Sequence, residues 1–210
     1  MNSVVEPAPG PRKRANANRS RILDAAIRCF AADTDASMDD VAKAAGVVRR
    51  TVYAHFPSRD ALVEGLADEA GAALAASVEH PQPEDVAAAL AVGVLRLSPV
   101  GDRYRVLLSF ARKEVGEERI SELIAPVRTH TSDVVERGRA AGVFSAYLPT
   151  AVLVGMMEGL TIATLEQANR GVVEDASGAM ALGVLVLAGV APERATEVVA
   201  SARQWLQATA

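Results

Sequence analysis

Between Arg49 and His55 the chain reads RRTVYAH, and five of these seven side chains can bond a nucleic acid. A guanidinium can bond the O6 and N7 atoms of guanine as a bidentate pair. A threonine methyl can pack on the methyl of thymine. At ~100° per residue, Arg50 and Ala54 face opposite to Val52, with Arg49 and Tyr53 on one flank and Thr51 on the other. Val48, Val52 and Phe56 form the apolar stripe, expected to pack inward. A short helix with two arginines, a threonine and a tyrosine facing away from its core is poor scaffolding and a good groove reader.

The residues before it are those needed to aim such a helix. Ser37 is an N-cap residue, and Asp40 stands three positions on, the spacing of a capping box. Asp39 and Asp40 favour the positive end of a helix dipole. Met38, Val41 and Ala45 recur on one face. Gly46 then supplies a turn that needs positive φ. The spacing predicts two helices joined by a tight turn, the second running from Val47 or Val48 to about His55, where Pro57 stops it. That is a helix-turn-helix, which lays its second helix in the DNA major groove.

The surrounding block resembles the TetR family of bacterial one-component regulators. The resemblance rests on Arg21-Ile22-Leu23-Asp24-Ala25-Ala26 with Phe30, Ser37-Met38-Asp39-Asp40-Val41-Ala42, Ala45-Gly46-Val47, Thr51-Val52-Tyr53-Ala54-His55-Phe56, and Ser58-Arg59-Asp60-Ala61-Leu62. It covers roughly the first third of the chain. It implies a three-helix DNA-binding head and a helical ligand-binding and dimerisation body. It also implies base contacts from Arg49, Arg50 and Thr51, and phosphate contacts from Ser37, Tyr53, His55 and Arg59. Three positions depart from the pattern. Val48 replaces a small hydroxyl residue, Arg59 replaces a lysine, and Asp39 stands where some members place a DNA-facing side chain.

Composition and charge agree with this division. Half of the 210 residues are hydrophobic but only 4% are aromatic. No alternating β-branched pattern persists, so the expected class is all-α. The net charge of −4 is unevenly spread. Residues 1–60 carry ten basic and seven acidic side chains, a net of +3, which leaves −7 on the remainder. A basic end and an acidic body suit a protein that offers only one end to phosphates. The single cysteine, Cys29, excludes an internal disulfide and suits a reducing cytosol. The most apolar run, 178–191, is too short to span a bilayer. The expected location is therefore cytoplasmic, with no membrane partner.

Along the chain, residues 1–18 hold three prolines and Arg12-Lys13-Arg14 and read as a disordered basic arm. The head is expected over 19–65 and the body over 66–210. A linking helix runs from Ser58 to about Val78. Helical blocks follow at about 84–97, 102–115, 118–141, 149–170, 175–190 and 192–208. Gly155, Gly159 and Ala163 recur every four residues, giving one helix a smooth strip. With Ala176, Ala179 and Gly183 on the next helix, this predicts a homodimer. Candidate ligand-lining residues are Tyr104, Leu108, Phe110, Arg112, Met156, Met157 and Glu158.

Nothing in the sequence carries enzymatic chemistry. His55, His80 and His130 are scattered and lack metal-ligand spacing with Cys29, and no glycine-rich phosphate loop or nucleophile elbow occurs. No catalytic residue, metal or cofactor is assigned. The expected function is a ligand-responsive regulator, a repressor released from a palindromic operator by a small molecule. The alternative is a helical dimer that binds a small molecule or protein and has lost operator binding.

Overall fold

The computed structural model describes residues 11–104 and 107–209. Ten α-helices are assigned: α1 (Pro11–Ala32), α2 (Met38–Ala45), α3 (Arg49–His55), α4 (Arg59–Val78), α5 (Val86–Tyr104), α6 (Leu108–Glu114), α7 (Glu117–Ala140), α8 (Thr150–Asn169), α9 (Ala176–Leu187) and α10 (Pro192–Thr209). The described residues contain no strand, as the alanine-rich, aromatic-poor composition requires.

Two hydrophobic cores organise these helices. The first packs Ile22, Leu23 and Phe30 of α1 against Val41, Val52, Phe56 and Leu62, all buried. Leu107 and Phe110, from much later in the chain, complete it. The Phe30 and Phe110 rings stack at 4.9 Å between centroids and 19° between planes. The second core joins α5, α7, α8, α9 and α10 through Val92, Val134, Val135, Leu153, Val154 and Leu185. The linking helix α4 belongs to both regions. Its first half buries Leu62, Val63 and Leu66 in the head core, and its length packs along α5 and α7.

Three boundaries differ from the sequence expectation. Helix α1 starts at Pro11, not near Asn18, so residues 11–18 of the expected disordered arm are helical. Proline suits a first helical position because its missing N–H would have no partner there. The first ten residues of that arm lie outside the described residues. Helix α5 does not stop near Leu97 but runs over Pro99 to Tyr104. Proline there removes one backbone bond, while Leu95 and Ser98 stay buried beside it.

The third correction concerns Val48. It does not join the apolar stripe of α3. It is 69% exposed, whereas Val52 is fully buried and Phe56 nearly so. Val48 is the N-cap, with extended backbone at φ −76° and ψ 148°. The helical wheel does not govern a residue that precedes the helix. Val47 packs on the head core in its place.

Candidate nucleic-acid interface

Helix α3 is held from three sides. At its entrance α2 ends on Gly46, whose φ of 65° and ψ of 36° are left-handed. The Gly46 N–H donates to the Lys43 carbonyl and the Val47 N–H to the Ala42 carbonyl, both at 3.1 Å. That paired closure satisfies the last carbonyls of α2 and sets the direction of the turn. Arg21 of α1 reinforces it, donating to the Ala45 carbonyl at 2.7 Å. At the exit, Phe56 presses on Gly65 of α4 so closely that a Cβ there would lie 2.6 Å from the ring. Glycine at 65 is what lets α4 approach the end of α3.

Ser37 caps α2 as its sequence position requires. Its hydroxyl accepts the Asp40 N–H at 3.2 Å and donates to the Asp40 carboxylate at 2.6 Å. The Ser37 N–H donates to the same carboxylate at 3.1 Å. These bonds stabilise the ionised form and hold the Asp40 pKa below the usual carboxylate value.

The base-reading candidates lie together on the free side of α3. Arg49 and Arg50 are exposed and Thr51 is half-buried. Arg49 is oriented by neighbours. It donates to Asp39 at 2.8 Å and to the Tyr53 hydroxyl at 3.3 Å, with its guanidinium 5.2 Å from the Tyr53 ring centre. The second Asp39 oxygen, Oδ1, is buried without a bonding partner. Thus Asp39 braces Arg49 from α2. Arg50 is exposed and has no ion-pair partner among the described residues. His55 is half-buried at the end of α3, its ring 6.4 Å from Phe56.

Arg59 occupies a different setting from the other six. Its guanidinium donates to Glu114 at 2.8 Å and to the Thr34 carbonyl at 2.6 Å. It also lies beside the stacked Phe30 and Phe110 rings, 5.1 and 5.5 Å from their centres. Only α6 could have revealed this role, and residues 59 and 114 are too far apart in sequence for local spacing to connect them.

Of the seven candidate ligand-lining residues, the five whose side chains are described are not gathered in one place. Tyr104 and Phe110 belong to the head core. Met157 is buried in the body core, and Met156 is exposed on α8. Glu158 pairs with Arg128 at 2.8 Å. Leu108 and Arg112 lie on α6, with side chains outside the described residues. No group of three or more histidine, cysteine or acidic side chains among the described residues is arranged to hold a metal. No described helix is long and apolar enough to cross a membrane.

Comparison with known proteins agrees with the geometry. Residues 22–66 match the family described as bacterial regulatory proteins, tetR family. Over 74 residues the chain is 38% identical to the HTH-type transcriptional repressor LfrR of Mycolicibacterium smegmatis, covering 35% of this chain and 38% of that protein. Over 55 residues it is 42% identical to a Mycobacterium tuberculosis protein provisionally named the mycofactocin biosynthesis transcriptional regulator MftR, covering 25% and 28% of the two chains. The matched stretches therefore span well under half of either relative.

The fold extends the likeness over most of the chain. The fatty acid degradation regulator FadR from Bacillus halodurans superposes with a TM-score of 0.69 at 19% identity, over 87% of this chain and 97% of that one. LfrR from Mycobacterium smegmatis in complex with proflavine superposes with a TM-score of 0.65 at 24% identity, over 83% and 96%. Residues 22–66 thus carry the DNA-binding domain of the tetR family of bacterial regulatory proteins, and the chain as a whole shares the fold of these solved structures.

Proposed function

We propose that the chain is a transcriptional regulator that binds a palindromic operator as a homodimer and releases it when a small molecule enters the body. The head comprises 19–65 and the body 66–210. Arg49, Arg50 and Thr51 read bases, while Ser37, Tyr53 and His55 meet phosphates. The observation that carries this reading is the free face of α3, where Arg50 is exposed and unpaired among the described residues and Arg49 is braced by Asp39. Such a solvated cationic face is free to meet a polyanion.

The dimer is supported by one face of α8. Val152, Met156 and Val186 of the neighbouring α9 are large, apolar and exposed. Gly155 and Gly159 on α8 face open space, which suits close approach of a second α8. A two-fold dimer would carry its recognition helices to successive major grooves, ~34–36 Å apart. The solved LfrR structure with proflavine favours a small-molecule effector for this chain as well. Repression fits because a ligand that displaced α4 would alter that spacing. It can do so only through its differential affinity for the two states.

Binding to the promoter DNA beside the chain's own gene tests the reading. Wild type should retain that DNA on a filter, and Arg50→Ala should bind ~1–3 kcal/mol more weakly with relaxed preference at one base pair per half-site. Unchanged affinity and preference in Arg50→Ala would remove α3 from the interface. No retention by wild type would leave a helical binding module.

A further inference from the structure

The two arginines that open α3 are neighbours in sequence and differ in their contacts. Arg50 is exposed and has no ion-pair partner among the described residues. Arg49 is held at three points. Its Nη1 donates to Oδ2 of Asp39 at 2.8 Å and its Nη2 to the Tyr53 hydroxyl at 3.3 Å. The Tyr53 ring centre lies 5.2 Å from its guanidinium carbon. Asp39 comes from the first turn of α2, and Tyr53 stands one turn further along α3. Both helices of the motif therefore set the direction of Arg49.

Stability does not explain Asp39. The Arg49 and Asp39 side chains are 65% and 45% exposed, and an ion pair so open to water adds little to folding. Oδ1 of Asp39 is buried without a bonding partner, alone among the described side chains in that state. A buried acceptor left unmatched is unfavourable. The positive end of the α2 dipole is already met by Asp40, which also closes the capping box with Ser37. What remains for Asp39 is its effect on Arg49.

That effect is a choice of target. An unheld arginine swings between base edges and phosphate oxygens, and a phosphate contact carries no sequence information. With Asp39 on Nη1, a phosphate oxygen approaching the same guanidinium meets a second negative charge. The repulsion grows as water leaves the interface, because the local dielectric falls. The neutral O6 and N7 atoms of guanine meet no such opposition. A guanidinium has five donors, so two bonds within the protein leave enough for a bidentate pair with guanine. Tyr53 accepts from Arg49 and keeps its own O–H free to donate to a phosphate. Discrimination of this kind combines a contact that attracts the right partner with a charge that repels the wrong one.

We propose that Asp39 is a specificity-determining positioning residue: held by it, Arg49 reads a guanine in each half-site and is kept off the phosphate backbone. The proposal rests on the reading that α3 enters the major groove, and it gives the two arginines different tasks. Arg49 is committed to one base, while Arg50 adapts to what it meets.

The test uses full-length protein and duplex DNA of two kinds. A pool randomised across both half-sites reports base preference by selection and sequencing. A mixed-sequence duplex, titrated over a salt series, reports attraction to the backbone. Wild type should enrich one guanine per half-site that Arg49→Ala no longer enriches. Asp39→Ala should lower the enrichment of that same guanine about tenfold, with a nearly unchanged melting temperature. It should also bind the mixed-sequence duplex more tightly, its log–log salt slope steeper by about 1 per bound protomer, because the freed Arg49 neutralises a phosphate. Asp39→Asn removes the charge but keeps an oxygen for Arg49, so it should share the tighter binding and lose less preference. The double variant Asp39→Ala/Arg49→Ala should lose no more preference than Arg49→Ala alone. Three results overturn the proposal alone: the guanine lost in Arg49→Ala but intact in Asp39→Ala, preference lost in Asp39→Ala at a different base pair, or weaker mixed-sequence binding with a lowered melting temperature. A wild type that enriches no sequence would sink the reading of α3, and the proposal with it.

Discussion

Arg59 and Glu114 meet at 2.8 Å and tie the first turn of α4 to the last turn of α6. Both side chains are largely shielded, at 30% and 25% exposure, so the pair is screened less than an exposed one. The neighbouring phenylalanines add cation–π attraction. Arg59→Ala is expected to destabilise the head by about 2 kcal/mol. Lysine should restore the charge but not the planar fork. Thermal melts and the salt dependence of operator binding distinguish a tie from a phosphate contact. A tie lowers the melting temperature and leaves the salt slope alone. Unchanged stability with a slope smaller by about 1 would instead put Arg59 on the DNA backbone.

Val48 caps α3 with no side-chain bond. A hydroxyl there could accept an N–H of the first turn. Val48→Ser should therefore stabilise the head by about 1 kcal/mol, with little loss of packing because the valine is exposed. Chemical denaturation measures it, and a less stable serine variant would show that Val48 makes contacts beyond those of a cap.

The two glycine positions on α8 and α9 should respond differently to leucine. Gly159 faces open space, so Gly159→Leu should leave the protomer folded and block the partner's approach. Gly183 meets Leu160, where a Cβ would lie at 2.6 Å, so Gly183→Leu should disturb α8–α9 packing within one protomer. Sedimentation and circular dichroism on both variants separate these effects. A Gly159→Leu protein that still sediments as a dimer, or a monomeric wild type, would move the interface elsewhere.

Asp175 caps α9 and accepts from Arg203 at 2.6 Å and from the Gly178 N–H at 2.9 Å. Chiefly through Arg203, its pKa falls from 3.8 to about 2. A carboxylate with a depressed folded-state pKa stabilises above its unfolded value, and that contribution fades as pH falls through the folded one. The loss should therefore appear between pH 4 and 2. The side chain is 58% exposed, so screening keeps the effect under about 1 kcal/mol. Asp175→Asn keeps a capping oxygen and should flatten the stability curve in that window. An equally steep curve in the variant would assign the acid sensitivity to other groups.

The head was legible because its signals are local. Ser37 and Asp40 are three residues apart, Gly46 marks its turn by type alone, and Val52 and Phe56 share a helical face. Val48 was misplaced because periodicity holds only inside a helix, and the first helical residue is Arg49. The end of α5 was misplaced because Pro99 is a breaker that the surrounding burial overrides. The position of Arg59 could not be read at all. It is defined by a partner brought in from a distant helix, and arginine at a helical surface looks the same whether it meets solvent, a carboxylate or a carbonyl. The candidate ligand residues failed to gather for the same reason.

Phe110 stacks on Phe30 inside the core that supports the recognition helix. That makes the end of α4 a poor place to cut. A chimera joining residues 1–78 to the body of another protein of this fold would leave behind Leu107, Phe110 and Glu114. The transplanted head would then present an unfilled apolar hollow and an orphaned guanidinium. Exchange of specificity between such proteins must carry α6 along with the head, or reinvent its aromatic plug in the new host.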